Sequence, residues 1–448
     1  MALSSLLFKK LIPVKRTVDV FVAGGGAAGF AAAVAAVRNG SKVYLAESSS
    51  SFGGLQTGGM VPTVAQFGDG KNFNAGGVGK EVYDRLWKMG GAGPYEQNTN
   101  GMNKFLPFRV EVFKKVHDAI AEESGFDFTF NTNAIGVEAE NGYASAVVCF
   151  ANSGIFAVRA RMYVDCTSNA DVAVWAGADY HKGDEHGQTM GATLCSLWSG
   201  IDWKKVFESK IPSQDYKLSE AFKDNVFSVE DRHLPGILPV GHTIGGGNVG
   251  HVYGVDGTDE ASVTKAFIKA RKMMEEYEKY YKGYIPGFEN MELASTASML
   301  GIRESRRIVG DYTLNAEDYY KRAVFEDEIG RYSYPIDLHA SSPDEKSYKE
   351  FLKNYEGSKY HPGENYGIPY RCLLPKKLHN VIVAGKCLSA DRMMQSSIRT
   401  FPGCYITGQA AGIAASLAAK ANTSFRGVNI KTIQTNLKQM GAFLPNLK

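Results

Sequence analysis

The first residues in this 448-residue chain whose types and spacing can do chemistry are Gly24-x-Gly26-x-x-Gly29. The first glycine permits a tight turn. The second lets backbone approach a pyrophosphate, and the third lets helix and strand pack closely. Free N–H groups and the dipole at the start of the following helix favour an anion there. Glu47 stands 23 residues after Gly24. A carboxylate at that distance accepts hydrogen bonds from both hydroxyls of a ribose and disfavours a 2′-phosphate. Together these residues form a set that holds a dinucleotide.

Other residues offer substrate chemistry. The run Arg303-Glu304-Ser305-Arg306-Arg307 is dense in charge. It reads either as ion pairs buttressing an interdomain face or as a guanidinium clamp on a carboxylate or phosphate. Arg371, Arg392 and Arg399 are further cations, and Tyr370 adds a phenol. His251 and His339 are isolated histidines that can move protons. Cations outnumber the local carboxylates Glu304 and Asp391, which favours an acidic or polyhydroxylated substrate. No H-x-x-H or D-x-D cluster appears, so spacing announces no metal site. G-x-S-x-G nucleophile motifs are absent too.

The elements around the first motif must position it. Val18–Ala23 is a short apolar run, as a buried parallel strand requires. An Ala-rich helix follows from about Ala27 to Arg38, with Gly40 closing it. Lys42–Ala46 is the next strand and ends at Glu47. The motif recurs at Gly245-x-Gly247-x-x-Gly250, where Pro235 and Pro239 interrupt any preceding strand and no helix follows. That second match is expected to be a loop, leaving one dinucleotide site.

Two features favour FAD over NAD. Gly53-Gly54 brings the chain back toward a diphosphate six residues after Glu47. Strand Val381–Ala384, Gly385, a loop and helix Gly403–Ala419 put a positive helix end where a flavin carbonyl could lie.

Elsewhere, residues 109–124 read as a helix, and 126–164 as short strands divided by Asn-Gly and Ser-Gly turns. A helix with Val263, Ala266, Phe267, Ala270, Met273, Met274, Tyr277 and Tyr281 on one face lies in a stretch rich in aromatics. The expected organisation is a discontinuous nucleotide domain, residues 1–185 and 366–448, with a cap inserted over 186–365.

Composition narrows the class. Lys+Arg is 50 against Asp+Glu 47, a net charge of +3, which gives no basis for a nucleic-acid or anionic-membrane partner. Six cysteines without a C-x-x-C argue against a disulfide or zinc-ribbon scaffold and fit a reducing cytoplasm. Glycine is the excess, 49 residues, and much of it sits in the clusters above. No run reads as a membrane span. The start, Met1–Ile12, reads as a surface arm rather than a secretion signal.

These motifs carry a resemblance. The chain resembles the FAD-dependent oxidoreductases of the glutathione-reductase superfamily, on the branch near fumarate reductase flavoproteins. The likeness runs through Val18–Glu47, Gly53–Gly59, Val164–Ala178, Gly301–Tyr312, Tyr334–His339, Ile368–Lys376 and Val381–Ala415. It implies an α/β fold: a Rossmann-type FAD-binding domain with parallel sheet and β-meander, plus an inserted α+β cap. It implies FAD as cofactor and hydride transfer between the flavin N5 and a small polar substrate, a carboxylate or a polyol. An NAD-dependent dehydrogenase and a non-catalytic flavin-binding protein are the alternatives.

The motifs and the resemblance imply a cofactor-binding set of Gly24, Gly25, Gly26, Ala27, Ala28, Gly29, Glu47, Gly53, Gly54, Thr167, Gly385, Asp391 and Gln409, Thr167 by the resemblance alone. The catalytic candidates are Arg399, Arg303, His251, Tyr370 and Arg371. Two departures from the family are visible. Where it resembles D-x-T-G-D-G-D, this chain has Asp165-Cys-Thr-Ser-Asn-Ala-Asp171, so Ser168 and Ala170 replace glycines. Where relatives look like Thr-His-Glu-Ala, this chain has Asp391-Arg392-Met393-Met394.

Overall fold

Val20, Phe21 and Val22 are fully buried, as a strand covered on both faces must be. They belong to strand Val14–Ala23, the middle of the main sheet in this computed structural model, which describes residues 9–92 and 105–447. The first eight residues of the expected N-terminal arm lie outside the described residues. Five strands run parallel in the order Asp127–Thr129, Val43–Ala46, Val14–Ala23, Gly154–Asp165 and Val381–Val383. The early half of Gly154–Asp165 also pairs antiparallel with Tyr143–Ala151, which pairs with Asn133–Glu140. Asn141 and Gly142 close that hairpin at φ 50° and 79°. The fold is therefore α/β, a parallel nucleotide-binding sheet extended by an antiparallel meander.

Register sets up the site. Ala23 lies beside Ala46 and beside Asp165, and Asp165 beside Val383. Four parallel strands thus end at one level, and the chain leaving each one borders the same space. Ligands of open α/β sheets bind at this carboxyl edge.

Two helices point their N-termini at the same edge. Ala27–Arg38 follows the glycine turn directly, and Phe401–Ala421 returns from the far end of the chain. They pack backbone to backbone. A Cβ on Gly408 would stand 2.1 Å from the Ala28 carbonyl oxygen, and one on Gly412 2.1 Å from that of Ala32. Only glycine permits that approach, and it fixes both helix starts relative to each other.

The insert has its own core. Strands Gly236–Pro239, Gly245–Asn248, Ser196–Ser199 and Glu292–Thr296 form an antiparallel sheet in that order. Helix Glu260–Tyr284, capped by Asp259 accepting from Ser262 N–H at 2.8 Å, buries Ala266, Ala270, Met273, Met274, Tyr277 and Tyr281 within that core. The second glycine motif is corrected here: it is not a loop, since Gly245–Asn248 is a central strand of this sheet. Its glycines make room for neighbours, because a Cβ on Gly247 would meet the Trp198 indole nitrogen at 2.8 Å. The expected cap of 186–365 divides in its packing. The insert's apolar core draws on residues 192–300, while Leu314, Tyr319, Ile329, Tyr332, Tyr334 and Ile336 join the core of the nucleotide lobe. No described helix is long and apolar enough to cross a membrane.

Candidate active site

The carboxyl edge of the sheet forms a cleft of about 370 Å³. Of the residues named from sequence, Gly24, Gly26, Ala27, Ala28, Glu47, Gly53, Gly54, Thr167 and Gly385 line it. Gly24 sits at φ 90°, and a Cβ there would stand 2.6 Å from the Cys166 carbonyl oxygen. Gly29 does not reach the cleft wall; it packs the helix start on Gly24, 1.7 Å from any Cβ. Gly25 N–H donates to Glu47 Oε2 at 2.5 Å and Ser49 N–H to Oε1 at 2.7 Å, so the carboxylate is held rigidly at the rim.

Thr167 and its neighbours are shaped by Asp165. This buried carboxyl accepts from Thr167 N–H at 3.0 Å, Thr167 Oγ1 at 2.8 Å and Ala173 N–H at 2.8 Å. Burial pushes it up to about 6. The Thr167 hydroxyl also accepts from Asp171 N–H at 2.9 Å, so it serves the loop. Ser168 and Ala170, where the family resemblance places glycines, lie at φ 71° and 56°. The left-handed conformation persists without the residue type that favours it.

A smaller chamber of about 140 Å³ adjoins the cleft. Leu55, Ile302, Lys386, Arg399 and Phe401 line both spaces. Thr193, Cys195, Asn248, Arg303, Asp337 and His339 complete the chamber's polar wall. Arg303 Nη1 donates to the Gly191 carbonyl at 2.7 Å and to Thr193 Oγ1 at 2.9 Å. Arg399 Nη2 donates to Asp337 Oδ2 at 2.7 Å. Its Nε is buried and has no hydrogen-bond partner among the described residues.

The chamber is electropositive. Burial, with Arg399 close by, brings Arg303 down to about 10. Burial and then Arg399 bring Lys386 to about 8, a value at which an amine exchanges protons near neutrality. Lys386 Nζ donates to the Ile302 carbonyl at 2.7 Å. Burial outweighs Arg399 and Arg303 and raises Asp337.

Five sequence-based assignments are corrected by position. Tyr370 is buried elsewhere, its hydroxyl donating to the Phe425 carbonyl at 3.1 Å. Arg371 pairs with Asp327 at 3.0 Å on the outside and covers the Tyr312 ring. Asp391 caps helix Arg392–Ile398, accepting from Met394 N–H at 2.7 Å. Gln409 ties Gly76 and Val78 to the long helix. His251 stands behind the chamber wall, its Nε2 3.1 Å from His339 Nδ1. The arginine-rich run divides: Arg306 pairs with Asp171, Arg307 and Arg392 pair with Glu304, and only Arg303 turns into the chamber.

Sequence reading missed Lys386, Asp337 and Asn248. Lys386 directly follows Gly385, which was singled out, so its adjacency was the available signal. Asp337 lies inside the family-like run Tyr334–His339 and Asn248 inside the second glycine motif, but neither was distinguished by its type or spacing.

The cleft fits a flavin dinucleotide on the structure's own terms. It has a backbone-lined rim, two helix N-termini and a held carboxylate at the second strand's end. The sequence matches the family described as FAD dependent oxidoreductase over residues 19–437. No curated protein matches it. Among solved structures, it resembles a geranylgeranyl bacteriochlorophyll reductase-like protein from Thermoplasma acidophilum. That likeness has 14% identity and TM-score 0.46, covering 95% of this chain and 83% of that one. It also resembles p-nitrophenol 4-monooxygenase PnpA from Pseudomonas putida DLL-E4, at 12% identity and TM-score 0.47, covering 96% and 91%. A third likeness is to the myxobacterial chondrochloren halogenase CndH, at 12% identity and TM-score 0.41, covering 95% and 79%. The chain belongs to the FAD-dependent oxidoreductase family; it is an enzyme, and its cofactor is FAD.

Proposed function

We propose that this member of the family oxidises or reduces a small, polar, anionic organic substrate, a carboxylate or an acidic polyol, seated in the 140 Å³ chamber. The observation that carries this reading is the shared wall: Lys386, Arg399 and Phe401 border both the cleft and the chamber. FAD, when bound, supplies the partner that takes or gives a hydride. Glu47 is placed to accept from the adenosine ribose, and Gly24, Gly26, Gly53, Gly54 and the starts of the two helices to face the diphosphate. On this reading the ancestry implied by the sequence, near the fumarate reductase flavoproteins, is kept as part of the proposal.

The chamber's cations set the substrate class. Arg303 and Arg399 leave guanidinium surface facing that chamber, and among the described residues Asp337 is the only carboxylate lining it. An anionic or oxygen-rich substrate offsets the excess. Arg399 is assigned to substrate orientation through its unpartnered Nε. Lys386 is assigned to the proton: its amine, depressed to about 8, can be neutral and accept the proton that a substrate hydroxyl loses. Thr193 and Asn248 fix orientation.

Anaerobic addition of candidate hydroxy acids, dicarboxylic acids, sugar acids and neutral polyols to the purified yellow protein tests the reading. Bleaching of the flavin band by an acidic substrate is expected. Bleaching by neutral or apolar substrates alone overturns the substrate class. A colourless protein that binds NAD instead overturns the cofactor's placement.

A further inference from the structure

Three histidines from distant parts of the chain meet at one point on the chamber wall. His233 precedes strand Gly236–Pro239, His251 follows strand Gly245–Asn248, and His339 lies 88 residues further on, in a segment packed with the nucleotide lobe. One ring nitrogen from each lies within 4.8 Å of the other two. The ring centroids stand 5.2, 4.7 and 5.2 Å apart. Three imidazoles around one tetrahedral ion, with metal–nitrogen bonds of about 2.0–2.1 Å, need nitrogens about 3.3 Å apart. His251 Nε2 and His339 Nδ1 stand at 3.1 Å.

The outer nitrogens explain why something positive belongs between them. His251 Nδ1 is 2.8 Å from Asp231 Oδ2, and His339 Nε2 is 3.3 Å from Asp337 Oδ1. Each carboxylate favours a proton on the outer nitrogen that faces it. Both inner nitrogens then present lone pairs to each other, which is repulsive without a cation in the gap. A carboxylate behind a ligating imidazole is the usual support of a metal site. Asp231 is itself held by the Tyr253 hydroxyl at 3.1 Å and by the backbone N–H groups of His251 and His233 at 3.0 and 3.1 Å. A cavity of about 10 Å³ borders all three rings, room for an ion and no organic group. Arg303 and Arg399 oppose a cation here, and Asp231 and Asp337 offset them.

We propose that His233, His251 and His339 form a three-imidazole site for Zn2+, which ties the insert to the nucleotide lobe beside the substrate chamber. Three nitrogen donors without a thiolate suit this borderline ion. The site is independent of the substrate assignment and is tested without turnover.

Holoenzyme stripped with a chelator, loaded with Zn2+ and desalted is measured for zinc and FAD per chain. Retention of about one zinc per chain is expected. His233→Ala and His339→Ala should lose it, and Asp231→Asn should weaken it by about 10–100-fold. FAD content and the unfolding transition of each variant show whether it is folded. His233 is half-buried, so its variant is the most tolerant; if it fails to fold, the unsubstituted protein alone decides. Failure of that protein to retain zinc overturns the proposal, as does full retention by folded His233→Ala. A downfield imidazole N–H resonance between His251 and His339 that persists after zinc loading also overturns it, since a proton then fills the gap.

Discussion

The cleft and the chamber are neighbours built by opposite means. The cleft takes its floor from backbone: turns 24–28, 46–54, 166–171 and 384–386 leave parallel strands that end at one level. The chamber takes its wall from side chains delivered one at a time by Thr193, Asn248, Arg303, Asp337, Lys386 and Arg399. A backbone site demands residues that permit close approach, and those demands repeat at short spacing. A side-chain site demands only that distant segments fold together. The first kind tolerates no added Cβ, whereas the second tolerates changes of shape but not of charge.

The largest expected effect tests the backbone half. Gly26 has φ −63°, and a Cβ there would stand 3.9 Å from its nearest neighbour, Gly54 Cα. Gly26→Ala should therefore fold normally yet lose FAD to below detection, because the Cβ enters space the diphosphate needs. Gly247→Ala is the control. Its Cβ meets Ser196 Oγ at 2.7 Å, so the insert sheet should lose about 1–3 kcal/mol while FAD affinity stays nearly unchanged. FAD per chain and unfolding curves check both. Equal loss of FAD from both substitutions would remove the distinction between the true and false glycine motifs.

The next effect tests the side-chain half. Arg399→Met keeps bulk and removes the guanidinium that pairs with Asp337. Flavin reduction by an accepted substrate should fall by about 100-fold, on the order of 2.7 kcal/mol, with FAD still bound. Arg371→Met, on the outside against Asp327, should leave the rate unchanged. Stopped-flow reduction of both variants settles whether the chamber cation or overall charge matters.

What could be read from the sequence follows the same divide. Strand Val14–Ala23, helix Ala27–Arg38 and strand Val43–Ala46 were legible because period, turn and carboxylate all agree within about 30 residues. The late strand and helix Phe401–Ala421 were legible for the same reason. Tyr370, Arg371, Asp391 and Gln409 were misplaced because residue type says nothing about which way a side chain turns. Of the arginines named from the sequence, the structure spends Arg307 and Arg392 on Glu304 and Arg371 on Asp327. The histidine cluster was invisible because His233, His251 and His339 share no spacing.

A pH profile sharpens the comparison from the chamber side. Lys386 can accept a proton only when neutral, and its depressed value of about 8 sets where that happens. Flavin reduction should rise with pH through about 8 and level above it. Lys386→Met should lower the plateau and remove the rise. A wild-type profile flat between pH 7 and 9, across which the neutral amine should rise about tenfold, most of it below 8, would remove Lys386 from the proton's path.

The smallest effect returns to the backbone. Ser168 lies on the loop that borders the cleft, at φ 71°, exposed, with its carbonyl accepting from Ser305 Oγ at 3.0 Å. A non-glycine residue in the left-handed region costs about 1–2 kcal/mol. Glycine removes that cost but adds about 0.5–1 kcal/mol of unfolded-chain entropy. Ser168→Gly should therefore stabilise the protein by up to about 1 kcal/mol, since no packing is lost from an exposed hydroxyl. Ala170, at φ 56°, is the instructive contrast, because its methyl is fully buried in the core between sheet and loop. Ala170→Gly relieves the same strain but opens space, so its two contributions oppose and the net change should be smaller or destabilising. Unfolding transitions of the two variants, measured with FAD bound, separate strain from packing. A loss of stability in Ser168→Gly would show that this loop is held by the serine side chain, and the backbone account of the cleft would fail at its most exposed turn.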